Sequence, residues 1–355
     1  MADGDSARSV AGSSASGQPG SSDCASWSSL GPAPHSDRTL RPDAEASERS
    51  EVARRSGRFL DPSPWHLRDQ LHRARGHPRR HGDARAGTPS LSSKTRGRIR
   101  AVLFDLDNTL ILEDAATHAA IEAVADRAAR NGADGRALSD IAPRIAAALW
   151  ATSYVYEWAE RFGIWWGEGL WADFDDERPP ELRVLRDFAP GFRHAVWRDA
   201  LLAIGGDETL APELAEAFRA LRGAEQPLDP DAYAVLDDLS RDHALGLVTN
   251  GAPSVQRTKL AGTTLAPYFK AMLISGEVGV PKPDPRIFRA ALDRLGASPS
   301  EAAMVGDSRP RDVAGARATG MRAIQIAREK FDEGPGPEPD ARISRLTELR
   351  SVLER

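Results

Sequence analysis

A chain of 355 residues with 41 % hydrophobic and 28 % charged positions has globular composition and enough length for one to three domains. It holds no run of about 20 apolar residues, which excludes a membrane-spanning helix. Its single cysteine, Cys24, excludes a disulfide framework or a cysteine-built metal site and suits a reducing cytoplasm, the expected location.

The net charge of −5 hides two unlike parts. Through Arg100 the chain carries 17 Lys and Arg against 11 Asp and Glu, a net of +6, which leaves −11 for the remainder. Residues 1–98 are rich in Ser, Gly, Pro, Arg and His and show no sustained apolar period. They cannot bury enough surface to offset ordering entropy, so a disordered N-terminal extension is expected. His72 to Arg85 (HRARGHPRRHGDAR) is basic, yet it lacks interleaved aromatics and a binding fold. It reads as a solvated tail or an overextended start of the coding frame, and nucleic acid is not an expected partner.

Ala101 to Leu110, AVLFDLDNTL, is the first ordered signal. An apolar run (Val102, Leu103, Phe104) that ends abruptly in Asp105, Asp107, Asn108 and Thr109 predicts a buried strand delivering two carboxylates into a turn. Strand ends are where open α/β sheets place their chemistry. Two acids one residue apart can divide the labour of phosphoryl transfer, Asp105 attacking phosphorus as nucleophile and Asp107 handling the leaving-group proton as acid and base.

Ala116, Ala119, Ala120, Val124 and Ala128 then recur at helical spacing, with Asp114 placed to cap the start. Helical patterns continue to about Glu225 with hardly a strand signal, which predicts a helical insertion over residues 115–225 between core segments 99–114 and 226–355. Five of the eight Trp (Trp150, Trp158, Trp165, Trp166 and Trp171) fall within 22 residues of this insertion. Trp150 and Trp158 suit helix packing, and Trp165 and Trp166, beside glycines, suit a pocket over the site.

The α/β pattern resumes with a helix through Val235, Leu236 and Leu239, then a strand from Ala244 to Val248 ending in Thr249, Asn250 and Gly251. A hydroxyl and backbone N–H groups at a strand end make a phosphate cradle, with Thr249 and Asn250 as its donors. Met272 to Ile274 predicts a third strand, followed by PKPDP. Lys282, held between Pro281 and Pro283, has its backbone fixed for aiming a charge at a phosphoryl oxygen. Ala302 to Val305 predicts a fourth strand ending in Gly306, Asp307 and Ser308. Asp307 with Asp105 can hold a hard cation such as Mg²⁺, and Asp312 is a candidate to orient Lys282. A fifth strand is expected over Met321 to Ile326, a Pro/Gly-rich loop over 329–340, and a terminal helix through Ile343, Leu346, Leu349 and Leu353.

In order and placement, FDLDNTL, TNG, PKPDP and GDSRPRD resemble the four sequential motifs of the haloacid dehalogenase superfamily, over about residues 100–326. The insertion resembles that superfamily's C1 cap. TNG with KPDPRIF is most similar to the branch of acylneuraminate-9-phosphatase-like and YjjG nucleotidase-like enzymes. The resemblance implies an α/β fold, a doubly wound parallel sheet with an inserted helical cap, and Mg²⁺-dependent hydrolysis of a small phosphorylated metabolite. It further implies an aspartyl-phosphate on Asp105, phosphoryl oxygens held by Thr249 and Lys282, and Mg²⁺ held by Asp105, the Asp107 carbonyl and Asp307. Other members of the superfamily remain as alternatives. A strict dehalogenase would lack Asp107, because a halide leaves without a proton. A Schiff-base phosphonate hydrolase would need a cap lysine, and residues 115–225 contain none. A phosphomutase shares all four motifs, and a non-catalytic phosphate-binding module would be expected to have lost a catalytic position.

Overall fold

A computed structural model describes residues 98–224, 226–328 and 335–355. The expected N-terminal extension, Cys24 included, lies outside the described residues apart from Arg98.

The chain enters the sheet at β1 (Ala101–Phe104) and then runs through six helices: α1 (Glu113–Arg130), α2 (Gly135–Ala151), α3 (Tyr156–Phe162), α4 (Trp166–Trp171), α5 (Pro180–Ala203) and α6 (Ala211–Ala224). It returns through α7 (Ala232–Leu239) to β2 (Ala244–Thr249), α8 (Pro253–Ala261), β3 (Ala271–Ile274), the single turn α9 (Ser275–Val278) and α10 (Pro285–Leu295). The last part holds β4 (Ala302–Gly306), a π-type turn over Arg309–Val313, α11 (Ala314–Thr319), β5 (Arg322–Ile326), β6 (Ala341–Ile343) and α12 (Leu349–Leu353).

All six strands are parallel, in the order β3-β2-β1-β4-β5-β6. The doubly wound sheet expected from the sequence is therefore present, with one strand more than predicted. Ile343 was expected to open the terminal helix but pairs with Ile326 in β6, and the helix starts only at Leu349. A three-residue strand carries too few side chains to show an alternation, so its apolar residue was absorbed into the helical period that follows.

Every residue of β1 is inaccessible to solvent. Val102 and Phe104 face Leu236, Leu239 and Leu349, whereas Ala101 and Leu103 face Ile287, Phe288 and Ala291. Alternation across the strand thus buries both faces under helices, as a parallel central strand requires. Each such Leu or Phe contributes roughly 1.5–3 kcal/mol.

Helices α1 to α6 enclose a core of their own, including Leu138, Trp150, Leu185, Trp197, Leu214 and Phe218. Trp150 packs edge-on to Phe192 at 5.3 Å, in line with the helix-packing reading. Trp166 is buried in the same core, with Trp165 partly buried beside it and their rings 4.8 Å apart. Trp171, buried in that same core, also borders an open space of about 350 Å³ together with Asp173, Arg219, Ser254 and Thr258. At this seam the Asp176 carboxylate accepts from Ser254 N at 2.9 Å and Ser254 Oγ at 2.6 Å, pinning the chain after α4 to the first turn of α8.

Among the described residues no helix is long and apolar enough to cross a membrane.

Candidate active site

β1 lies at the point where the strand order reverses, between β2 and β4, and such a crevice at the carboxyl ends of the strands is where doubly wound sheets hold ligands. The residues that follow the strands converge there. Asp105 N donates to Val305 O of β4 at 2.9 Å, fixing the start of the turn. Asn108, in the left-handed region at φ 57, bends the chain so that its Oδ1 accepts from Asp114 N at 3.0 Å. Asn108, not Asp114, therefore caps α1. The Asp114 side chain is buried within the first turn, and desolvation pushes its carboxyl up to about 7.

Lys282 Nζ lies 2.5 Å from Asp105 Oδ1 and 2.7 Å from Asp312 Oδ1, with all three side chains buried. Asn250 fixes the Lys282 backbone from both sides: Lys282 N donates to Asn250 Oδ1 at 2.8 Å, and Asn250 Nδ2 donates to Lys282 O at 3.1 Å. Sequence reasoning gave Asn250 only a backbone role, whereas here its side chain holds the lysine. Asp312 Oδ2 accepts from Ser308 N at 3.1 Å and packs on Gly306, where a Cβ would meet the Asp312 carboxylate at 2.3 Å. Only glycine at the end of β4 admits this acid so close to the strand.

Oxygens of Asp105, Asp307 and Asp312 lie within 4.8 Å of one another. Asp312 is committed to Lys282 and Ser308, while Asp307 makes no side-chain hydrogen bond or ion pair among the described residues. Desolvation raises the Asp307 carboxyl well above its ordinary range, and the Asp105 and Asp312 charges raise it further. Burial likewise lifts Asp105 to about 7 against the opposing Lys282 ammonium. Once ionised, the three carboxylates outnumber the Lys282 ammonium, and their hard oxygens are the donor set that suits a small divalent cation.

Thr249 Oγ1 stands at the end of β2 and accepts from Gln256 Nε2 at 3.0 Å. The same amide donates to Asp107 Oδ2 at 2.8 Å, and Lys259 Nζ lies 2.9 Å from Asp107 Oδ1. Both Gln256 and Lys259 are inaccessible to solvent. Arg328 donates to Asn108 O at 3.0 Å and Thr109 O at 2.8 Å while pairing with Asp229, so the turn after β1 is also held from beyond β5. Arg311 reaches the helical layer through Glu160 Oε1 at 3.2 Å, and Gly163 sits so close that a Cβ there would meet Asn250 at 2.7 Å. Sequence reasoning singled out none of Gln256, Lys259, Arg328 and Arg311. For Lys259 a signal existed, a cation one residue before Leu260 and spaced three from Gln256 on a helix face that also carries apolar residues.

A family model of haloacid dehalogenase-like hydrolases matches residues 99–320. The chain belongs to this hydrolase family. It is 42 % identical to phosphoserine phosphatase of Thermus thermophilus over 71 % of this chain and 98 % of that protein. Identity falls to 34 % with glyceraldehyde 3-phosphate phosphatase of Methanopyrus kandleri, over 52 % of this chain and 83 % of the relative. It is 27 % with N-acylneuraminate-9-phosphatase of Rattus norvegicus, over 72 % and 94 %. The HAD-hydrolase YfnB from Bacillus subtilis, solved bound to magnesium, superposes with a TM-score of 0.51 at 21 % identity, over 73 % of this chain and all of that one, and so shares the fold.

Proposed function

We propose that this hydrolase cleaves a small phosphomonoester through a covalent intermediate on Asp105. The reading is carried by Lys282, which bridges Asp105 and Asp312 at the crevice while Thr249 and Asp307 approach from the flanking strands. A buried ammonium beside a candidate nucleophile is the arrangement that neutralises a phosphoryl group during transfer.

In the first half-reaction an Asp105 carboxylate oxygen attacks phosphorus, the ester P–O bond breaks, and the Asp107 proton passes to the departing oxygen. In the second, water attacks phosphorus, Asp107 takes its proton, and the P–O bond to Asp105 breaks, releasing inorganic phosphate and the free carboxylate. Lys282 and Thr249 hold phosphoryl oxygens, the backbone at Asn250 adds an N–H donor, and Asp312 and Asn250 orient Lys282. Asp105, Asp307 and the Asp107 carbonyl would hold Mg²⁺, which when bound supplies charge that stabilises the transferring group. Helices over residues 115–225 act as the cap that shapes the leaving-group side, on a core formed by 99–114 and 226–355. The presence of Asp107, a second acid that halide displacement does not need, favours this reading over halide displacement.

The similarity to a phosphoserine phosphatase makes O-phosphoserine the first substrate to examine. A turnover screen with Mg²⁺ across O-phosphoserine, sugar phosphates and nucleotides tests the proposal. Release of phosphate from at least one class supports it, and inertness across the panel contradicts it.

A further inference from the structure

Asp107 is gripped by a buried charge cluster that reaches into the helical layer. The Lys259 ammonium spends its three donors on carboxylates from three segments: Asp107 at 2.9 Å, Glu113 at 3.1 Å and Glu168 at 2.9 Å. Glu113 opens α1 and also pairs with Arg222 at the end of α6. Glu168 lies in α4, between two glycines in the tryptophan-rich stretch. Lys259, Glu113, Glu168 and Arg222 are at most 2 % exposed.

Such a cluster is a poor device for simply gluing helices to a sheet. Desolvating charges costs about as much as their attraction returns, and apolar side chains of similar volume do the same work as well or better. One oxygen each of Glu113 and Glu168 accepts no hydrogen bond among the described residues. What the cluster does supply is direction. With Gln256 on one oxygen and Lys259 on the other, the Asp107 carboxylate is held at both ends. When Asp107 has given up its proton, an ammonium at 2.9 Å stabilises the carboxylate that remains.

We propose that Lys259 is a positioning residue for Asp107 and that Glu168, carried by the helical layer, sets the Lys259 ammonium. Proton transfer by Asp107 then runs at full rate only while α4 is seated against α8. The inference rests on the phosphatase reading above and adds to it two residues that touch no reacting atom.

Two aryl phosphates of nearly equal size, p-nitrophenyl phosphate and phenyl phosphate, separate leaving groups that depart unaided from those that need a proton. In the full chain, Lys259→Met should lower kcat on phenyl phosphate on the order of 10- to 100-fold, the range typical of partners that orient a working side chain. The first turnover on p-nitrophenyl phosphate should fall severalfold less, and KM should stay within about threefold for both. Glu168→Gln should show the same selective loss at smaller size, and Lys259→Arg should recover part of the rate. Equal losses on the two substrates, or a change confined to KM, would overturn the inference. If Lys259→Met does not fold, Glu168→Gln decides alone, since an unchanged kcat in that near-isosteric variant also overturns it. A wild type inert on both probes and on the substrate panel would instead overturn the phosphatase reading, and this inference with it.

Discussion

The Lys282 ammonium lies 2.5 Å from the Asp105 carboxylate in a buried crevice, and on the proposed mechanism phosphorus would sit between these two charges. Asp105→Asn keeps the side-chain size but removes the nucleophile. Phosphatase activity should drop below about one per cent of wild type while cooperative thermal unfolding is retained, as judged by steady-state kinetics and calorimetry. Substantial residual turnover would rule out the covalent route.

Asp107→Ala should separate leaving groups more sharply than any variant of its neighbours. General acid catalysis is worth roughly 10²- to 10⁴-fold, and that loss is expected on alkyl phosphates. On p-nitrophenyl phosphate the first turnover should survive as a burst followed by slow release, because on the proposed mechanism the same residue serves as base for water. Equal loss on both substrates without a burst would contradict the assignment.

Cation binding is expected to relieve the crowding of Asp105, Asp307 and Asp312. With Mg²⁺ at about 100 times its Kd, linkage predicts a gain of about 2.7 kcal/mol in unfolding free energy. Asp307→Asn should lose most of that gain, and chelation should abolish turnover of the wild type. Denaturant titrations with and without Mg²⁺ provide the comparison, and an equal gain in both proteins would place the cation elsewhere.

The sequence displayed the strand ends plainly, because buried apolar runs that stop at Asp105, Thr249 and Asp307 have few other readings in a parallel sheet. It did not display what lies between them. Gln256 and Lys259 meet Asp107 across 149 and 152 positions, and Glu168 meets Lys259 across 91. Pairings of that range are made by tertiary packing and leave no local period to read. Asn108 illustrates the same limit at short range, since Asp114 was the stronger capping candidate by position until the left-handed turn brought Asn108 Oδ1 to the helix start.

Stability should carry a pH signature from Glu168. Desolvation lifts its carboxyl from 4.5 to about 7 against the pull of Lys259, with the Asp107 and Glu113 charges adding to the rise. Below pH 4.5 the group is protonated whether folded or unfolded and adds no pH dependence. Between 4.5 and about 7 the unfolded chain ionises first, so folding becomes less favourable by at most about 1.4 kcal/mol per pH unit, and above 7 the whole penalty is present. Glu168→Gln should remove this slope. Unfolding titrations at pH 5 and pH 8 should therefore show the variant gaining relative to wild type at the higher pH, and a constant difference would refute the protonation scheme.

Every side chain assigned to the site lies between Asp105 and Arg328. Deleting residues 1–98 should accordingly leave kcat and KM within about twofold, since preorganisation of the site depends on its immediate supports. A larger change would give those residues a part in binding or catalysis.

The grip of Arg328 on the carbonyls of Asn108 and Thr109 spans 220 and 219 positions, and it bears on how the protein comes into being at the ribosome. At 5–20 residues per second, the turn bearing Asp105 and Asp107 emerges on the order of 10 to 40 s before the arginine that braces it. A nascent chain thus carries Asp105 and Asp107 in an unbraced loop for most of its synthesis. The turn after β1 acquires this support only when β5, two strands away in the sheet, has been made.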